Sequence, residues 1–218
     1  MPFRDRVDAG RQLAAALSRY RGKAPVVLAL PRGGVPIGAE IAAALNAPLD
    51  LIMVRKIGVP DQPELAMGAI VDGGPPVIVR NEDVIGAVAV SEEEFEAVCR
   101  AELDEIERRR RRYLGARTPH PLARSTAILV DDGVATGATM RAAIRATRQR
   151  LPQTLVLAIP VAPSAALKEL RHEVDDLVCL ESHQIFGSIG AYYDDFTQVT
   201  DETVIALLAA NAAAIKPG

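Results

Sequence analysis

The sequence predicts an α/β fold, a mostly parallel central sheet flanked by helices. Three observations carry this. Short, continuous apolar runs recur and stop abruptly, as strands buried on both faces do. Stretches with apolar residues three or four apart lie between them, as on one face of a helix. The two kinds alternate along the chain, and alternation builds parallel sheets.

The elements follow in order. Residues 6–21 carry Val7, Leu13, Ala14, Leu17 and Tyr20 at roughly helical spacing, with Gly22 as the stop. "APVVLAL" (24–30) is the first strand, closed by "PRGG". Ile37, Ile41 and Leu45 mark a helix over 35–46. "LDLIMVR" (49–55) reads as the second strand and "KIGVPDQPE" (56–64) as a polar, proline-bearing loop. "LAMGAIV" and "PVIVR" flank Asp72-Gly73-Gly74-Pro75, a hairpin pattern.

Residues 91–114 read as a long helix capped by Ser91, with Glu92, Glu93 and Glu94 in the first turn and Arg108 to Arg112 at the end. Acid first and base last complement the helix dipole. The arginine run is expected to be a solvated helix end, paired with Glu102, Asp104, Glu105 and Glu107 three or four residues away, rather than a nucleic-acid contact. Strand 126–131, helix 138–150, strand 154–161, helix 164–172 and strand 175–181 complete the alternation. Residues 182–200 look irregular and bear aromatics; a last helix starts at Thr200 or Asp201.

Composition narrows the function. At 218 residues the chain suits one domain. It is 49% hydrophobic and 24% charged with a net charge of −3, so a general affinity for nucleic acid or anionic membrane is not expected. Cys99 and Cys179 fit no metal-ligand spacing and suggest reduced thiols in a cytoplasm. No eighteen-residue apolar run appears, and the first residues do not read as a signal peptide.

The informative stretch is "ILVDDGVATGATM" (128–140). Asp131 and Asp132 stand where a buried strand ends, and in open α/β sheets ligands bind beyond that end. Two adjacent carboxylates repel, so cations or hydroxyl donors must compensate; Mg²⁺ or the paired hydroxyls of a ribose would serve. Thr136-Gly137-Ala138-Thr139 then leads into a helix, whose unpaired N–H groups and dipole favour an anion. Carboxylates followed by an anion nest suit a sugar phosphate. The nucleotide-triphosphate loop fits worse, because Ala138 stands where lysine is needed.

This stretch resembles the PRPP-binding signature of type I phosphoribosyltransferases, enzymes that use 5-phosphoribosyl-1-diphosphate (PRPP) with Mg²⁺. "LPRGG" resembles the family's diphosphate loop, "RKIG" and the residues after it fall where the family has a mobile catalytic loop, and "FGSIGAYYDDFTQVTDE" (186–202) is similar to the end of one bacterial branch. The resemblance implies that Asp131 and Asp132 face the ribose hydroxyls and, through water, a Mg²⁺ ion. Ala135, Thr136, Gly137, Ala138 and Thr139 would surround the 5-phosphate. Arg32, Gly33 and Gly34 would hold the diphosphate, with a cis Pro31–Arg32 bond.

Arg55 and Lys56 would neutralise the leaving diphosphate, with Lys56 the catalytic candidate of the two, or else form a solvated strand end. The family's acceptor hood would come from about 1–12 and 182–200, with an inserted helical segment at about 88–118. Tyr192 and Phe186 are the acceptor-pocket candidates, with core anchoring as the blander role for the aromatics there. Purine-salvage members carry Asp where this chain has Ala135, and alanine transfers no proton, which argues against a 6-oxopurine. The resemblance implies a cytoplasmic homodimer acting on PRPP and a small nitrogenous acceptor, with neither nucleic acid nor membrane as partner. A PRPP-sensing regulator of the same fold is the alternative.

Overall fold

A computed structural model describes residues 2–72 and 76–215. The elements run α1 (Arg6–Ala16), β1 (Pro25–Ala29), α2 (Gly34–Leu45), β2 (Leu49–Leu51), β3 (Val54–Val59), β4 (Gln62–Val71), β5 (Val77–Arg80), α3 (Glu82–Val88), α4 (Glu92–Leu114), β6 (Thr126–Val130), α5 (Ala138–Gln149), β7 (Thr154–Pro163), α6 (Ser164–Leu170), β8 (Asp176–His183) and α7 (Asp201–Ala214). Five strands form a sheet in the order β2-β1-β6-β7-β8, every pairing parallel.

The apolar runs behave as a doubly covered sheet requires. Successive residues point to opposite faces. Val27, Ala29, Ile128 and Val130 pack with α1, α2 and α7 residues such as Leu13, Ile41 and Val204. Val26, Leu28, Ala127 and Leu129 pack with Ile144 of α5 and Leu170 of α6 on the other side. Strand order reverses between β1 and β6, from which the chain builds outward in both directions. Such a switch point opens a crevice at the carboxyl ends of the two strands.

Beside this sheet stands a second, antiparallel one, β3-β4-β5, that the sequence did not foretell in full. The strand expected over 49–55 ends at Leu51, because Asp72 draws the chain away: its carboxylate accepts from Met53 N–H at 2.9 Å. The loop expected over 56–64 is instead a strand, a tight turn with Asp61 at φ 61°, and the start of another strand. β4 and β5 pair antiparallel as the hairpin pattern implied; Gly73, Gly74 and Pro75 lie outside the described residues. Ile57, Met67 and Ile70 of this sheet bury against Phe95 of α4, and Ala69 and Val79 pack toward α5.

The first helix ends at Ala16, five residues short of the expected stop, and a 3-10 turn covers Ser18–Tyr20. α3, capped by Asn81, was not anticipated. α4 matches expectation closely: Ser91 and Glu94 form a reciprocal cap at its start. Its arginines are all paired. Arg108 and Arg109 share Glu105, and Arg111 takes Glu107, as the spacing implied. Arg110 instead reaches Asp72 at 2.7 Å, and Arg112 reaches Asp201 and Glu202. Glu102 is taken by Arg55 rather than by the run.

Candidate active site

The site lies where β1 and β6 end side by side. Val130 closes β6 and Asp131-Asp132 follow at once; Ala29 closes β1 and Pro31-Arg32-Gly33-Gly34 follow. The Pro31–Arg32 peptide bond is cis. The two turns are in contact, and the glycines permit it. A Cβ on Gly33 would stand 2.0 Å from the Asp132 Oδ2, and one on Gly34 would stand 2.6 Å from the Val130 carbonyl oxygen. Backbone bonds tie the pair: Leu30 N–H donates to Val130 O at 2.9 Å.

The two acids are held unequally. Asp132 Oδ2 accepts from Arg6 Nε at 2.9 Å and Nη2 at 2.8 Å. Asp131 Oδ1 accepts only the amide of Asp132, at 2.8 Å. Burial, then the neighbouring charge of Asp132, pushes the Asp131 carboxyl well above the usual carboxylate range. Burial raises Asp132 too, opposed by the Arg6 guanidinium. One guanidinium for two carboxylates leaves the turn short of positive charge.

Past the acids, the chain presents the opposite kind of deficit. Gly133 lies under Ile189, where a Cβ would meet the isoleucine at 2.7 Å. Gly137 caps α5 at φ 81°, a conformation glycine adopts without strain. Among the described residues, no protein atom accepts from the backbone N–H of Ala135, Thr136, Gly137, Ala138 or Thr139. Thr136 and Thr139 are exposed. These groups and Asp131 line a cavity of about 190 Å³ with Ile189 as one wall. Free donors at a helix start are what an anion needs, and here they face a cavity.

The remaining predicted residues are spread more widely. Arg32 leans to Asp201 at the start of α7, with Nη1 3.6 Å from its carboxylate. Arg55 and Lys56 belong to β3 of the second sheet, not to the central one. Arg55 is held by Glu102 of α4, and Lys56 Nζ is 3.0 Å from the Glu64 carbonyl and 3.3 Å from its carboxylate. Neither touches the acid pair. Phe186 stacks on Tyr192 at 5.0 Å, and Tyr192 meets His183 at 4.6 Å. The aromatic stretch thus packs largely on itself and on the core, in keeping with the anchoring role.

Two contributors come from the segments expected as the hood, and neither was expected to hold the acid pair. Arg6 lies 126 positions from the carboxylate it binds. Tyr193 donates its hydroxyl to the Asp132 carbonyl at 2.6 Å, and burial pushes that phenol far up. Both ride on a junction of the two ends of the chain. Phe3 bridges to Tyr193 in parallel, Phe3 N–H donates to Tyr192 O, and Asp194 and Asp195 N–H donate to Phe3 and Arg4 carbonyls.

Comparison with known proteins agrees with this geometry. The family profile described as "Phosphoribosyl transferase domain" matches residues 4–196. A Mycobacterium tuberculosis protein named "Putative phosphoribosyl transferase Rv0571c" is 46% identical over 206 residues, covering 94% of this chain and 46% of its own length. The chain therefore spans about half the length of the curated relatives it matches. The crystal structure of TT1426 from Thermus thermophilus superposes with a TM-score of 0.82 at 40% identity, over 96% of this chain and 99% of that one. A hypothetical protein from Neisseria gonorrhoeae, solved with bound ppGpp, shares the fold at a TM-score of 0.50 and 12% identity over 96% of this chain and 94% of its own. With that profile matching nearly all of its described residues, the chain belongs to the phosphoribosyltransferase family.

Proposed function

We propose that the chain transfers the 5-phosphoribosyl group of PRPP to a nitrogenous acceptor and releases diphosphate. The observation that carries this is the cavity between Asp131 and Thr139, with free amides at one end and an undercompensated carboxylate at the other. A sugar phosphate matches both ends at once. Its phosphate meets the amides and threonine hydroxyls, and its ring hydroxyls donate to Asp131.

In the reaction the bond from the anomeric carbon to diphosphate breaks, a carbon–nitrogen bond forms, and the nucleophile gives up a proton. Asp131 and the amides of Ala135–Thr139 hold the ribosyl group fixed, which lowers the entropic part of the barrier. The Arg32-Gly33-Gly34 turn is the nearest candidate for the diphosphate, because a guanidinium offers a fork of donors. Lys56 on the β3–β4 hairpin reaches that charge only if the hairpin moves inward, and its closing would also exclude water.

Mg²⁺ fits the donor set. Among the described residues no cluster of three or more His, Cys, Asp or Glu side chains could hold a metal alone. Two carboxylates short of positive charge suit a hard cation that takes its remaining oxygens from the substrate. When bound it would neutralise the leaving diphosphate. Ala135 cannot exchange a proton with a purine ring, which argues against a 6-oxopurine acceptor. The regulator reading is less favoured, since every arginine of the 108–112 run already faces a carboxylate.

Diphosphate release from PRPP and Mg²⁺, screened against purines, pyrimidines and other nitrogen nucleophiles, tests the proposal. Turnover with one of them supports it. Calorimetry showing no PRPP binding at all would refute it.

A further inference from the structure

We infer that Arg6 is a positioning residue that fixes the Asp132 carboxylate beside the less restrained Asp131, so that the acid pair is set in place before a ligand arrives; this rests on the PRPP reading above. The guanidinium is held on every side. Nε and Nη2 both donate to Asp132 Oδ2, Nη1 donates to the Thr197 carbonyl at 2.9 Å, and the Phe196 ring lies 3.9 Å from its central carbon. Its side chain is 10% exposed and that of Asp132 13%. Moving Arg6 aside would strand a buried cation and a buried carboxylate together, which is strongly unfavourable. Arg6 therefore stays in place when a ligand arrives and acts through Asp132 rather than on the substrate.

The neighbouring contacts point the same way. Gly33 has no room for a Cβ because the Asp132 carboxylate, pinned by Arg6, fills that space. Tyr193 fixes the Asp132 backbone from the other side through its carbonyl. Asp131 has no comparable restraint. The two acids, alike in sequence, are thus divided into a fixed member and a less restrained one. Because Arg6 also grips Thr197, and residues 3–4 pair with 192–195, the junction of the chain ends sets the shape of the ribose site.

Calorimetry of PRPP binding with Mg²⁺ tests this on the full chain, using wild type, Arg6→Lys, Arg6→Ala, Asp132→Asn and the Arg6→Ala/Asp132→Asn pair, each with a melting temperature. Arg6→Lys is expected to melt near the wild type, yet to bind PRPP about tenfold more weakly, since an ammonium lacks the planar fork. Arg6→Ala and Asp132→Asn should each weaken binding at least as much, and the pair should be no weaker than its worse member. If Arg6→Ala does not fold, Arg6→Lys and Asp132→Asn decide the matter. Affinity that simply tracks melting temperature, additive losses in the pair, or wild-type affinity in Arg6→Lys would each overturn the inference while leaving the proposed function standing. A wild type that binds no PRPP would overturn the proposed function, and this inference with it.

Discussion

Two runs of like charge stand out in this chain, and the fold treats them oppositely. Arg108 to Arg112 lie on α4, and each is matched by a carboxylate from the same helix, from Asp72 or from the start of α7. Asp131 and Asp132 lie at the mouth of the central sheet with one guanidinium, bound to Asp132, between them, and are followed by five amides with no protein acceptor among the described residues. A charge cluster satisfied by its neighbours is architecture. One left unsatisfied beside an open cavity is where a ligand completes the structure.

The sharpest test of this contrast is Asp131→Asn. It should lower PRPP affinity by roughly a hundredfold or more, because a charged acceptor is lost, and calorimetry reads this directly. The same variant should melt higher than the wild type, since burial and Asp132 both work against the Asp131 charge. The sign in pH follows. The folded chain retains a proton on Asp131 above the ordinary aspartate value, where the unfolded chain has released it. Stability then falls as pH rises through the window between the two values, and melting curves of Asp131→Asn should lack that limb. PRPP affinity should move the other way, weakening as pH falls through the raised value. A wild type whose melting temperature rises with pH across that window, with no difference from the variant, would break the contrast.

Next in size is the buried pair on the architectural side. Arg110→Ala strands Asp72, whose carboxylate also receives Met53 N–H, and should cost about 3 kcal/mol in denaturant unfolding. Gly33→Ala forces a methyl toward Asp132 and should cost about 1–3 kcal/mol while also weakening PRPP binding. The smallest effect belongs to the exposed end of α4: Arg108→Gln and Arg111→Gln should each shift stability by no more than about 0.5 kcal/mol and leave PRPP binding unchanged. A large loss of binding there would mean that the run is not merely structural.

How much of this was legible depended on the range of the signal. β1, β6, β7 and β8 are apolar runs ending in polar turns, and they form where the pattern put them. The turn after β6 stood out because its chemistry is contiguous: acids, small residues and hydroxyls follow one another without a break from Asp131 to Thr139. The break after Leu51 was not, because Ile52 and Met53 are as apolar as the strand before them, and what diverts the chain is an aspartate nineteen residues on. The β3–β4 hairpin hid behind Pro60 and Asp61, which form its tight turn, and Pro63, which read as a loop residue yet lies in β4. Arg6 hid for the same reason as Asp72: its partner is brought near only by the folded chain. Lys56 was judged by its place at the end of the expected second strand, but the chain leaves the central sheet after Leu51 and Lys56 lies in β3 of the other sheet.

α7 begins near the acid pair, where Asp201 faces Arg32, and ends beside the start of β2, where Asn211 accepts from Leu49 N–H. It therefore crosses the molecule, about 20 Å along its axis. Anything spliced directly ahead of Phe3, such as an affinity handle or a fusion partner, would emerge next to Tyr193 and the acid pair. An attachment point near Asn211 would lie at the other end of α7, away from the acid pair, which makes that the end by which to immobilise the protein for the measurements above.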